Sequence, residues 1–159
     1  MNLFKKKVPT QLKDHLAKGE RVIAWANHSG GLVAVTDLAL LSLDHHENVR
    51  IPWELTISGK WEEPLLVISL QNDLGGTVIQ RAWSLGEPGL VPDAVRERIT
   101  TAQVFDQLQD VENVGKVRFI ARRSPDGISW DYLASGNLGP DSQTHIQDQL
   151  NKLRQTLGI

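Results

Sequence analysis

The chain has no cysteine. Disulfides, thiolate nucleophiles and cysteine metal sites are therefore excluded, and the composition suits a reducing compartment. Phenylalanine (three), tyrosine (one) and methionine (one) are scarce beside five tryptophans, so indole supplies most of the large aromatic surface. No apolar run reaches bilayer length; the longest, residues 32–43, is interrupted at Thr36-Asp37. No signal peptide is expected either, because Lys5, Lys6 and Lys7 place charge early and no apolar stretch follows. Nucleophile-elbow, Walker and dinucleotide-binding motifs are missing. Ser29-Gly30-Gly31 leads into a strand, so it lacks the helix N-terminus that holds phosphate.

The 159 residues are 40% hydrophobic and 23% charged, values of a globular chain with one core. The net charge of −2 is unevenly placed. Residues 1–18 hold five lysines and one aspartate (+4), and the remainder twelve basic and eighteen acidic residues (−6). An acidic body gives no electrostatic footprint for nucleic acid. Lys5–Lys7 beside Leu3 and Phe4 would add only about 1 kcal/mol per lysine at an anionic surface, so no stable membrane binding is expected.

The strongest pattern runs from residue 49 to 61. Odd positions read Val49, Ile51, Trp53, Leu55, Ile57, Gly59, Trp61; even positions read Arg50, Pro52, Glu54, Thr56, Ser58, Lys60. Period-two alternation predicts a strand, since only an extended chain sends alternate side chains to opposite faces. At roughly 3.3 Å per residue it would be ~40 Å long, so it must bend and serve two sheets, with Pro52 and Gly59 as the bend points. Apolar segments at 21–26, 32–36, 38–43, 65–70 and 77–85 complete six mostly antiparallel strands in residues 20–85, with Asn72-Asp73-Leu74-Gly75-Gly76 as a hairpin turn.

Helices are expected at three places. Val8, Leu12 and Leu16 suggest one over 10–18, capped by Thr10 and ended by Gly19. Val95, Ile99 and Ala102 suggest another over 92–103. Val104, Leu108 and Val111 lie about half a turn round from that stripe, leaving 104–113 as a short helix or an irregular return. Strands over 116–123 and 128–135 flank Ser124-Pro125-Asp126-Gly127, which suits a type I turn with a bulge. Ile146, Leu150, Leu153 and Leu157 stripe a C-terminal amphipathic helix over 141–157, stopped by Gly158.

The segments RVIAWA (21–26), LVAVTDLALLSL (32–43) and IPWELTISGKWEEPLL (51–66) resemble bacterial domains of the pleckstrin-homology/GRAM-like class. There, a strand with a Thr-Asp pivot precedes one carrying a Pro-Trp-like pair. Val117, Arg118, Ala121, Arg122 and Arg123 are similar to a Val-Arg-x-x-Ala-Arg-Arg strand of uncharacterised actinobacterial proteins. The resemblance touches about half the chain and implies a fold, with no functional residues to carry over.

The expected architecture is a single α+β domain over 1–159. It is a bent antiparallel β-barrel or sandwich of pleckstrin-homology type, followed by a helical connection (92–113) and a hairpin plus helix (116–157), the C-terminal helix closing the barrel. Trp25, Trp53, Trp61, Trp83 and Trp130 read mainly as core. Asp44-His45-His46-Glu47 reads as a solvated turn, since neighbouring side chains in extended structure diverge, so no metal is assigned; Glu62-Glu63 reads the same way against a catalytic pair. Lys116, Arg118 and Arg122 share one strand face, and a bulged turn would set Arg122 opposite Trp130. Arg118, Arg122 and Trp130 are the candidate ligand-binding residues, for an anion or acidic peptide. The expected function is a non-catalytic cytoplasmic binding module for a protein or small acidic ligand, without cofactor. The alternatives are a structural or oligomerisation subunit, an enzyme, or a membrane-surface module; oligomeric state stays open.

Overall fold

The computed structural model describes residues 7–71, 77–134 and 139–159. The turn expected at Asn72–Gly76 and the cluster Leu3, Phe4, Lys5 and Lys6 lie outside them. The chain divides into two compact units, residues 1–70 with 80–100, and residues 71–79 with 101–159.

The first unit opens with a single helical turn, Thr10–Lys13 (α1), much shorter than the helix expected over 10–18. Its N-cap is Pro9 and no side chain caps it. Beyond Lys13 the chain continues in single turns: the His15 amide donates to Leu12 O (3.0 Å) and the Glu20 amide to Ala17 O (3.1 Å), while the Glu20 carboxylate accepts the Ala17 N–H (2.8 Å). The Val8, Leu12 and Leu16 stripe is still used, packing beside Leu32, Ala34 and Leu41.

Strands Val22–His28 (β1), Gly31–Thr36 (β2), Ala39–Asp44 (β3) and Asn48–Pro52 (β4) form an antiparallel meander in that order. A short 3-10 turn, Trp53–Leu55, separates it from Thr56–Glu62 (β5), Leu65–Gln71 (β6) and Val78–Ser84 (β7), a second sheet ordered β5-β6-β7. The alternating stretch 49–61 does serve two sheets, but as two strands, so seven strands replace the six expected. The break follows Pro52, which has no amide hydrogen for a ladder; the Trp53 N–H makes the last in-register bond, to Leu38 O (3.3 Å), before the chain enters the 3-10 turn. A bulge between Thr56 and Ser58 then shifts the register, which is why Thr56 and Ile57 are both buried.

Helix Val91–Ala102 (α2), expected over 92–103, buries Val91, Ala94, Val95, Ile99 and Ala102. A Cβ built on Gly59 would sit 2.9 Å from Val95 Cγ1 and 3.0 Å from Ile99 Cδ1. Gly59 therefore lets the helix lie against β5; it is a contact point rather than the expected bend.

The second unit contains a three-stranded antiparallel sheet, Gln103–Val111 (β8), Gly115–Ser124 (β9) and Gly127–Ala134 (β10), ordered β10-β9-β8. Residues 104–111 are thus a strand, not a helix or irregular return. A register shift between Gln103 and Phe105 lets adjacent Val104 and Phe105 pack on the same core, and this bulge mimics a helical stripe in the sequence. Helix Pro140–Leu157 (α3) lays Ile146, Leu150 and Leu153 against Val117, Phe119, Ala121 and Trp130. It ends at Gly158 in the left-handed conformation, as expected. Leu157 is exposed.

The α+β class and the C-terminal helix are present, but the three sheets are open and none closes into a barrel among the described residues. Within the first unit the helix laid on the strands is α2, and within the second unit α3 covers its own sheet.

Trp53 is 4% exposed and its Nε1–H donates to Thr36 O (2.8 Å). Trp53→Ala should cost about 3–5 kcal/mol in urea unfolding, the range for deleting a buried large aromatic. An unchanged midpoint would mean that the indole is not core.

Candidate functional site

The residues expected to bind an anion do not converge. Trp130 pairs with Ala121, Arg122 with Ser129, and Arg118 with Leu133. The hairpin is one residue tighter than a bulged turn would make it, and a one-residue difference moves side chains to opposite faces. Trp130 lies in the core against Phe105, ring centroids 5.4 Å apart and tilted by 49°. Lys116, Arg118 and Arg122 do share the other face, but each meets a carboxylate. Lys116 Nζ is 2.9 Å from Asp110, Arg118 grips Asp106 through Nε (2.7 Å) and Nη2, and Arg122 Nη1 is 3.1 Å from Asp131 Oδ2.

Arg122 was expected at the surface; it is 1% exposed, and Asp131 is buried with it. Burial pushes the Asp131 carboxyl above the usual range, and the Arg122 guanidinium only partly offsets this. Arg122→Ala should therefore cost about 3–5 kcal/mol, because it strands a buried carboxylate. Urea unfolding of Arg122→Ala and of Arg122→Ala with Asp131→Ala tests this: the double variant should recover part of the loss. A loss under about 1 kcal/mol, typical of an exposed pair, would contradict the burial.

A second buried carboxylate belongs to the first unit. Glu20 accepts hydrogen bonds from Ala17 N–H, Thr36 Oγ1–H and both terminal nitrogens of Arg50 (3.1 Å each). Burial alone would raise its pKa, but the bonds from Thr36, Ala17 and Arg50 outweigh that and hold it below the ordinary carboxylate range. The native state thus favours the ionised form. Its stabilisation is present above the unfolded pKa and is lost as pH falls through the folded one. The stability gap between wild type and Glu20→Gln should narrow between pH ~7 and pH ~3, measured by urea unfolding. A gap independent of pH would contradict the assignment.

The polar surface with the geometry of a site lies elsewhere in this unit. In a meander, the β1–β2 turn and the β3–β4 loop fall at the same end of the sheet, and Gly31 pairs with Asp44. That register joins two segments far apart in sequence, His28-Ser29-Gly30 and Asp44-His45-His46-Glu47. A Cβ on Gly31 would come 1.8 Å from the Leu43 carbonyl oxygen, so glycine at 31 is what lets the two segments meet. From the second sheet, β7 adds Arg81 and Trp83. Together they line a cavity of about 260 Å³ whose walls include His28, Ser42, Asp44, Glu47, Arg81 and Trp83. An adjoining cavity of about 380 Å³ shares His28, Ser29 and Ser84 and adds Asn27 and Glu87.

Ser42, 2% exposed, is the centre of this groove. Its Oγ accepts the Trp83 Nε1–H (2.9 Å) and lies 3.4 Å from His28 Nε2. His28 Nδ1 accepts the Gly30 N–H (3.1 Å), so the proton of the neutral ring sits on Nε2 and points at Ser42. The pair has serine–histidine spacing but the wrong tautomer for a general base: Nε2 has no lone pair to take the serine proton. Arg81 Nη1 is paired with Glu47 Oε1 at 2.7 Å. No group of three or more histidine, aspartate or glutamate side chains is placed to hold a metal among the described residues. No helix among them is long and apolar enough to cross a membrane.

The sequence flagged Ser29-Gly30-Gly31 and Asp44–Glu47 separately, as a phosphate loop and a metal motif, and rejected both. Hairpin pairing could have joined them. Nothing local marks Ser42 or Arg81; Trp83, read mainly as core, is instead half-buried and lines the cavity. Compared with protein-family models, curated proteins and solved structures, the chain matches none.

Proposed function

We propose that this chain is a non-catalytic cytoplasmic binding module of pleckstrin-homology/GRAM-like type that docks a segment of a partner protein in the groove around Ser42. The observation that carries this reading is the hydrogen-bonding of Ser42. An oxygen that already accepts from Trp83 and faces the His28 N–H is a poor nucleophile and a good fixed contact. At about 260 Å³ the cavity falls just below the usual range of small-molecule sites and suits one side chain of a longer partner.

The fold type is supported by the first unit. Seven antiparallel strands in two sheets with an amphipathic helix laid on them fit that class. The two motifs behind the resemblance also touch, since Trp53 of the Pro-Trp pair donates to Thr36 of the Thr-Asp pivot. Between the two ligands anticipated from sequence, a protein is favoured over a small acidic molecule. Arg118 and Arg81 are already in ion pairs, and carboxylates outnumber cations in the groove.

Two measurements test the reading together. Panning a random peptide library should yield sequences whose binding falls in Ser42→Ala, and a fluorophosphonate should leave Ser42 unlabelled. Labelled Ser42 would make the site catalytic. Enrichment of peptides indifferent to groove substitutions would remove the groove from the function.

A further inference from the structure

The groove's chemistry specifies what it would accept. Asp44 and Glu47 line the first cavity and Glu87 the adjoining one, and the one lysine or arginine among their described lining residues, Arg81, is paired with Glu47. Negative charge is therefore left over, from Asp44 and Glu87. Asp44 Oδ1 accepts the His46 N–H (2.9 Å), which orients the carboxylate. Trp83, tied to Ser42 through its indole N–H, adds an anchored aromatic wall, the partner a guanidinium or ammonium finds in cation–π contact. Beside these acceptors sits one buried donor. The Ser42 hydroxyl hydrogen has no acceptor among the described residues once His28 Nε2 carries a proton, and buried donors without acceptors are costly.

We infer that the groove recognises a basic residue of a peptide. Its cationic side chain meets Asp44 and Glu87 over Trp83, and its carbonyl oxygen takes the Ser42 hydroxyl. A basic amino-acid residue is the simplest group offering a cation and a carbonyl acceptor a few bonds apart. This rests on the proposed function, and it reverses the charge of the ligand expected from sequence. Arg81 gives the site a selectivity device: leaving Glu47 for a ligand carboxylate would break the 2.7 Å pair, so acidic segments are disfavoured.

The test is ¹⁵N nuclear magnetic resonance on the full chain with three probes: N-acetyl-arginine amide, N-acetyl-glutamine amide and N-acetyl-glutamate amide. The arginine probe should shift the Trp83 indole and Gly30 amide signals saturably, while the other two leave them in place. Asp44→Asn and Glu87→Gln should each weaken the arginine titration about tenfold, and Ser42→Ala more modestly. Asp110→Asn, an acidic site in the second unit, should not change it. An equal loss in Asp110→Asn, or shifts spread over the surface, would mean non-specific attraction to an acidic protein and overturn the inference. Saturable binding of the glutamine or glutamate probe at the same signals would overturn the basic specificity but keep the groove as a binding site. Failure of all three probes, with groove-independent peptides from the library, would overturn both.

Discussion

The first unit depends on the hydrogen bonds that converge on Thr36. Its hydroxyl oxygen accepts the amides of Leu38 (3.1 Å) and Ala39 (2.9 Å), which closes the β2–β3 turn. Its hydrogen goes to Glu20, and its carbonyl accepts the Trp53 indole. One residue thereby ties the turn before β1, the β2–β3 corner and the junction between the two sheets. The bonds to Glu20, Ala39 and Trp53 are buried, and in a low-dielectric interior each bond is stronger than in water while each vacancy costs more. Valine would keep the shape of Thr36 and lose all three side-chain bonds. Glu20 is ionised there because burial, which opposes the charge, is outweighed by donors on three sides.

The second unit solves a different problem. One face of its sheet is apolar and covered by α3; the other carries Arg118, Ile120, Arg122 and Asp131. Two ion pairs on that face differ in depth. Arg118 and Asp106 are each about one-third exposed at the side chain, whereas Arg122 and Asp131 are almost fully enclosed. Water screens the first and makes it worth little; the second has exchanged hydration for a partner and is strongly damaging to break. A residue read from alternation as a surface cation is therefore part of the interior.

The groove owes its existence to topology. A meander returns alternate turns to the same end, so the glycine turn after β1 meets the acidic loop after β3. The second sheet then supplies Arg81 and Trp83 as the opposite wall. Ser42, an interior strand position, becomes polar because Trp83 and His28 both require an oxygen there. A chain with acidic balance thus concentrates carboxylates, one committed cation and an indole around a single buried hydroxyl.

The sequence alone determined the α+β class, the helices expected over 92–103 and 141–157 to within a residue at each end, most strand positions and the burial of Trp53, because side-chain periodicity and turn residues act locally. Glycine at 158, with no Cβ penalty in the left-handed region, likewise ended the last helix as local rules require. Tertiary structure decided what a single residue of slip can reverse. The tight turn at 124–127 put Arg122 and Trp130 on opposite faces, and the bulges near residues 57 and 104 disguised strand positions as other patterns. It also decided which polar residues meet: Ser42, Asp44, Arg81 and Trp83 are separated by up to forty-one residues, and only pairing and packing between distant strands bring them together. Periodicity reports which face a side chain takes within its own strand. It carries no information about the strand on the other side.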